Sequence, residues 1–134
     1  MGSEMCIRDR TRTIPVADVV TGPGATSLAE GEFVVEFELD HRPPSTGDAY
    51  LRMIPRTEMD IAVVGAGVRI TLDDQGLCAA ASVVLGAVAP TAVRVAAAEA
   101  ALIGTVINDD VLAAVAQAAS AASNPIDDKR GTIA

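Results

Sequence analysis

Hydrophobic and polar positions alternate along the first half of this chain and change period in the second. Residues 33–39 alternate strictly: Phe33, Val35, Phe37 and Leu39 face one way, and Glu32, Glu36 and Glu38 share the other side with Val34. That spacing predicts a half-buried strand with an acidic outer face. Residues 60–72 predict a second strand, with Val68, Ile70 and Leu72 opposite Arg69 and Thr71. Residues 77–88 predict a third, placing Leu77, Ala79, Ala81, Val83, Leu85 and Ala87 on one face. Between these two lies Asp73-Asp74-Gln75-Gly76, a turn sequence in which glycine can take a positive φ, so they should form a hairpin.

After Pro90 the period lengthens. Residues 92–103 are mostly Ala, Glu and Leu, strong helix formers, and Gly104 supplies a stop; Val93, Arg94 and Val95 can extend a strand before the helix starts. Asn108 caps a second helix, and Asp109 and Asp110 place acids at its positive end. Its apolar stripe is Val111, Leu112, Val115, Ala118, Ala119 and Ala122, and Asn124-Pro125 ends it. Residues 11–32 carry turn chemistry at Pro15, Gly22, Pro23, Gly24 and Gly31. Residues 41–47, with Pro43 and Pro44, read as an extended linker without regular structure. Strands first and helices after them define an α+β fold, an antiparallel sheet packed against helices.

Composition narrows the function. The chain has 134 residues, enough for one domain, and 50% of them are hydrophobic, which excludes disorder. A formal charge of -8, with three aromatics (Phe33, Phe37 and Tyr50) and no Trp, argues against nucleic acid, since phosphates are repelled and bases find few rings. Residues 77–95 are nearly uncharged, but Ser82, Gly86, Pro90, Thr91 and many alanines make a poor membrane span. No apolar signal run opens the chain. Cys6 and Cys78 have neither metal nor redox spacing; Cys78 reads as a small buried hydrophobe, and a reducing cytoplasm is expected. Residues 1–10, with Ser3-Glu4-Met5-Cys6-Ile7-Arg8-Asp9-Arg10, resemble translated sequencing-adapter read-through and are set aside as a non-native segment.

Few motifs carry chemistry. Val63-Val64-Gly65-Ala66-Gly67 opens like a dinucleotide fingerprint, but position 70 is Ile and strand alternation continues to Leu72, so the glycines read as close packing or a bulge. His41, the single histidine, sits in the proline-rich linker and reads as solvated. Asp127-Asp128-Lys129-Arg130 reads as a solvated or domain-bridging charge cluster. No nucleophile–base or paired-carboxylate arrangement can be assembled, so no catalytic residue is expected. Tyr50, Arg52 and Arg56, just before a strand, bring an aromatic and two cations together, a combination that suits an anionic planar ligand.

Ala49-Tyr50-Leu51-Arg52, Pro55-Arg56 and Glu58-Met59-Asp60-Ile61-Ala62-Val63-Val64-Gly65 resemble the FAD-binding (medium) subunit of molybdenum hydroxylases, the carbon monoxide and xanthine dehydrogenase family. The resemblance continues through Leu85-Gly86-Ala87-Val88-Ala89-Pro90-Thr91, Glu99-Ala100-Ala101-Leu102-Ile103-Gly104 and Pro125-Ile126-Asp127-Asp128-Lys129-Arg130-Gly131. It implies that residues 41–134 are that subunit's C-terminal domain, an α+β sandwich cut short at its C-terminus before a further helix. Residues 11–40, with Pro23-Gly24-x-Thr26-x-Leu28 and Gly31-Glu32, would be the tail of the preceding FAD-binding domain. It implies FAD as cofactor, held mainly by glycine-rich loops of an N-terminal domain that this chain lacks, with Tyr50 near the isoalloxazine and Arg52 in contact with it. The implied partners are a molybdenum-cofactor subunit and an iron–sulfur subunit, with electrons passing from iron–sulfur clusters through flavin to an acceptor. The alternative is an α+β assembly or dimerisation module with no flavin role.

Overall fold

The computed structural model describes residues 10–56 and 60–127, which fall into two units divided after Phe33. In the first, a 3₁₀ turn at Val16–Asp18 leads into a small antiparallel pair, β1 (Val20–Gly22) and β2 (Ala25–Thr26), joined through Gly24 at φ 68°. The Arg12 guanidinium closes the unit, its Nε and Nη2 donating to both carboxylate oxygens of Glu32 at 3.0 and 2.7 Å and Nη2 also to the Ser27 carbonyl at 3.0 Å. Those hydrogen bonds from Arg12, with a further one from the Ala29 N–H, hold the Glu32 carboxyl below its ordinary range.

The second unit is a four-stranded antiparallel sheet against two helices, the expected α+β class. Its strands β3 (Thr46–Met53), β4 (Val64–Leu72), β5 (Cys78–Gly86) and β6 (Val93–Arg94) lie in chain order. Val64, Ala66, Val68 and Ile70 of β4 turn toward the core formed by Cys78, Val83, Leu85, Val88, Val95, Ala98 and Leu102. The expected β4–β5 hairpin is present. Its turn is held by Asp73, whose Oδ1 accepts from the N–H groups of Gln75 and Leu77 at 2.9 Å each, with Gly76 at φ 79°.

The expected strand at residues 33–39, the end of the linker and the inward face of β5 are corrected. Residues 33–39 form no strand: Phe33, Val35, Phe37 and Leu39 are exposed by 77, 73, 69 and 87%, and no described strand lies alongside to take their backbone hydrogen bonds. The linker ends at Ser45 rather than Gly47, because Ser45 turns at φ 55° and Thr46 enters β3, sharing a 2.8 Å hydroxyl hydrogen bond with Thr71. On β5 the inward face is Cys78, Ala81, Val83 and Leu85, not the run through Leu77 and Ala79. A bulge is the cause: Thr71 pairs with Ala80 and Leu72 with Cys78, so Ala79 is an extra, exposed residue that flips the parity. Ala87, at φ 66°, flips it again, so Val88 is buried and Ala87 is not.

The first helix, α1 (Ala96–Leu102), starts later than residue 92 because Val93 and Arg94 pair with Leu85 and Val84, the strand extension the sequence allowed. Gly104 ends that turn at φ 78° and donates to the Cys78 carbonyl at 2.8 Å, which ties the helix exit to the start of β5. The second, α2 (Asp109–Ala122), is capped as expected, Asn108 Oδ1 accepting from the Val111 N–H at 3.0 Å. Its stripe packs on the core except for Leu112, which is 50% exposed. Cys78 is fully buried, and desolvation raises its thiol above the ordinary value, so it serves as a packing residue.

Where β6 ends, β5 would be left with a buried N–H lacking a strand partner. Glu99 supplies the acceptor: its Oε1 takes the Val83 N–H at 3.1 Å and Arg94 Nε at 2.7 Å, while the residue is only 8% exposed. The Arg94 hydrogen bond, with lesser help from Val83, holds the Glu99 carboxyl below its ordinary value against the opposing effect of burial. Glu99→Ala should cost about 1–3 kcal/mol in urea unfolding by orphaning that N–H, and Glu99→Gln, which keeps an acceptor, should cost less. Because folding depresses this carboxyl, its contribution is complete above the ordinary glutamate range and is lost as pH falls through the depressed value. The Glu99→Gln variant should therefore lose less stability than the parent over that acid interval.

Candidate functional site

Side chains alternate across a strand, so the register of β3 on β4 decides which residues share the sheet face turned away from the helices. Tyr50 pairs with Gly67 and Arg52 with Gly65, and those glycines pair in turn with Val84 and Gly86 of β5. Thr46, Asp48, Tyr50 and Arg52 therefore stand in one column beside Gly65, Gly67, Arg69 and Thr71. The tyrosine ring lies across the glycine positions: a Cβ built on Gly65 would meet Tyr50 Oη at 2.5 Å, and one on Gly67 would meet its Cδ2 at 3.7 Å. Gly65 is buried on this otherwise open face because the ring covers it, while Tyr50 itself stays 64% exposed.

Beside the ring runs a shallow groove of about 320 Å³, floored by Gly67, Ser82 and Val84 and bordered by Asp48 and Arg69. Asp48 faces Arg69 across the β3–β4 register and is ion-paired to Arg42. Arg52 is exposed and has no hydrogen-bond or ion-pair partner among the described residues, and Arg69 has none either. The arrangement can present an aromatic face and fixed positive charge to a flat, electron-rich group. Among the described residues there is no cluster of three metal-ligating side chains.

The structure brings Tyr50 and Arg52 onto one face, two residues apart. Arg56 is turned to a different task, its Nε donating to Asp60 Oδ2 at 3.0 Å while Asp60 Oδ1 accepts from the Ile61 N–H at 2.9 Å, a clasp across the β3–β4 connection. His41 is exposed in the linker. Residues 1–10 apart from Arg10, Glu58 and Met59 of the family-like motif, and Asp128, Lys129 and Arg130 of the charge cluster lie outside the described residues. The glycines under Tyr50 and the cation at Arg69 were not singled out from sequence as part of this face. Alternation through Gly65, Gly67 and Arg69 was the signal that placed them together.

An antiparallel sheet with two helices packed on one face is an α+β architecture that solved flavoprotein structures share. Residues 49–134 match the model of the CO dehydrogenase flavoprotein C-terminal domain, and the chain belongs to that family. It is 31% identical over 121 residues to the 6-hydroxypseudooxynicotine dehydrogenase complex subunit alpha of Paenarthrobacter nicotinovorans, a match covering 90% of this chain and 40% of that one. It is 30% identical over 107 residues to the xanthine dehydrogenase FAD-binding subunit of Escherichia coli O157:H7, covering 79% of this chain and 36% of that one. Among solved structures it is similar to carbon monoxide dehydrogenase from Hydrogenophaga pseudoflava lacking the Mo-pyranopterin moiety of the molybdenum cofactor, with a TM-score of 0.80 and 36% identity. That match covers 90% of this chain and 41% of the other. The chain thus spans about 40% of the length of its curated relatives. No helix among the described residues is long and apolar enough to cross a membrane.

Proposed function

We propose that this domain forms one wall of the FAD site in the flavoprotein subunit of a molybdenum hydroxylase. The observation that carries the reading is the Tyr50–Arg52 column: two exposed side chains on one sheet face, the arginine without a described partner, beside an open groove. These residues fit one part of a flavin. Tyr50 offers a ring face to the isoalloxazine, and Arg52 offers charge-assisted hydrogen bonds to its polar edge or to electron density that builds on it.

They do not fit the rest of the cofactor. Helix α2 opens on Asp109 and Asp110 with its cap taken by Asn108, so its positive end repels a pyrophosphate, and α1 has only seven residues. The dinucleotide portion of FAD is accordingly assigned to another domain. Residues 11–40 are read as the tail of that preceding domain and residues 41–134 as the C-terminal domain proper. FAD, when bound, supplies a carrier able to exchange one or two electrons. This chain's residues orient it and shield one side of it from water. In the complete assembly electrons would come from iron–sulfur clusters on one partner subunit, the substrate would react at a molybdenum cofactor on another, and the whole would work in the cytoplasm.

A second reading, an assembly module, is favoured by one specific observation. On the helix side of the sheet, Leu51 and Met53 of β3 are 76 and 63% exposed, beyond the reach of α1 and α2. The two readings use opposite faces of β3, and only the flavin reading gives Tyr50 and Arg52 a shared target.

Titration of the isolated chain with FAD, followed by flavin fluorescence, should give binding weaker than about 1 μM, equivalent to roughly 8 kcal/mol, because the phosphate seat is elsewhere. In the complete flavoprotein, Arg52→Ala should weaken FAD retention by about 1–3 kcal/mol. Tyr50→Ala should alter the flavin absorbance or its rate of reduction more than it alters thermal unfolding. Unchanged flavin content and spectrum in both variants would remove them from the site. For the assembly face, sedimentation of the isolated chain should show self-association that Leu51→Lys with Met53→Lys abolishes; a monomer at high protein concentration would refute it.

A further inference from the structure

Gly65 is the one strand glycine against which a side chain is pressed. An added Cβ would fall 2.5 Å from Tyr50 Oη, 3.1 Å from Cζ and 3.2 Å from Cε2, whereas at Gly67 the nearest atom is at 3.7 Å, an ordinary contact. At Gly47, in the neighbouring strand, nothing lies within 4 Å. The three glycines therefore differ in kind: one seats the ring, one touches it, one is open. The clash at Gly65 is with the far end of a 64%-exposed side chain, not with backbone, so the ring can move to relieve it while the sheet stays in place.

We infer that Gly65 is a positioning residue for the flavin-facing aromatic: its missing side chain sets how low, and at what tilt, the Tyr50 ring lies on the sheet. The inference rests on the flavin reading above and adds a residue that acts only through Tyr50. Any larger residue at 65 lifts the ring off its bed and into the space a planar cofactor would share with it. Gly67 lacks this role, since a methyl there meets the ring at normal distance.

Tyr50 is the single tyrosine and the chain has no tryptophan, so its ultraviolet emission reports this seat alone. In the isolated chain, Gly65→Ala should raise the acrylamide quenching constant of that emission by up to about 1.6-fold, the ratio of full exposure to the 64% of the seated ring, with Gly47→Ala unchanged. In the FAD-loaded complete flavoprotein, Gly65→Ala should move the flavin emission yield away from the parent's value, as Tyr50→Ala does, and Gly67→Ala should not. Quenching unchanged in Gly65→Ala overturns the seat. A changed quenching with flavin emission like the parent's, while Tyr50→Ala does alter it, overturns the positioning role and leaves the flavin reading standing. Flavin emission indifferent to Tyr50→Ala removes the flavin reading itself, and the positioning role with it. If Gly65→Ala fails to fold, Tyr50→Ala in the same chain decides: recovery of folding locates the conflict at the ring as inferred, and failure of both shows that the sheet, not the tyrosine, requires the glycine.

Discussion

The parity of β4 governs this domain. Its even positions, Val64, Ala66, Val68 and Ile70, are packed against the core, and its odd positions, Gly65, Gly67, Arg69 and Thr71, make the opposite face. A slip of one residue would turn four apolar side chains to solvent and put an arginine under the helices, so the register is fixed from the inside. The same parity fixes the functional face. Because Gly65 and Gly67 fall opposite Arg52 and Tyr50, the strand that closes the core also provides a flat bed on its other side. Core and candidate site are two faces of one hydrogen-bonded ladder.

The core that enforces this is small. Its largest fully buried side chains are Leu102 and Cys78, and the rest are Val, Ala and one further Leu. Burial of such residues contributes modestly per position, so polar fastenings matter more than in a domain with bulky aromatics inside. Glu99 occupies the place of a missing strand residue at Val83, Gly104 and Thr105 pair with both sides of Cys78, and the Asn124 N–H reaches the Val88 carbonyl at 2.8 Å after α2. Each joins a helix or its flanking turn to β5 or its exit, the strand on which α1 rests. Buried amide groups left open by short strands are thereby satisfied.

Much of this was legible in the chain. The β4–β5 hairpin, the Asn108 cap, the Gly104 stop and the order of strands before helices follow from turn chemistry and period, which are local properties. What failed was nonlocal. Residues 33–39 alternate as well as any strand here, yet alternation cannot say whether an edge is available to pair with. Strand β3 was passed over because its helix-side residues, Gly47, Ala49, Leu51 and Met53, follow a proline-rich linker and the opposite face carries Asp48 and Arg52. The bulge at Ala79 left no trace in a run of three alanines, where either parity puts a methyl group on each face. Of the site, Tyr50 and Arg52 were visible as an aromatic and a cation close together just before an expected strand, while Arg56, chemically equal to Arg52, was taken out of contention only by its clasp on Asp60. The glycines read as close packing from sequence, and the cross-strand register shows that the Tyr50 ring is what they accommodate.

An edge strand that neither helix covers needs another source of order. Strand β3 pairs on one side only, and Leu51 and Met53, which in a covered sheet would anchor it, remain exposed. Its ladder with β4 therefore supplies most of its stability, helped by the Thr46–Thr71 hydroxyl pair at one end and the Arg56–Asp60 clasp beyond the other. Between them, the Tyr50 ring lies over the two glycines. An aromatic laid over a cross-strand glycine recovers packing that the glycine forfeits. The contact that aims the ring is thus also one that holds down the strand bearing it. A displaced ring leaves the backbone ladder from Thr46 to Met53 in place, so Arg52 keeps its position opposite Gly65 when the aromatic moves. The two residues of the column are therefore set by different things: the ring by the glycine beneath it, and the arginine by the β3–β4 register.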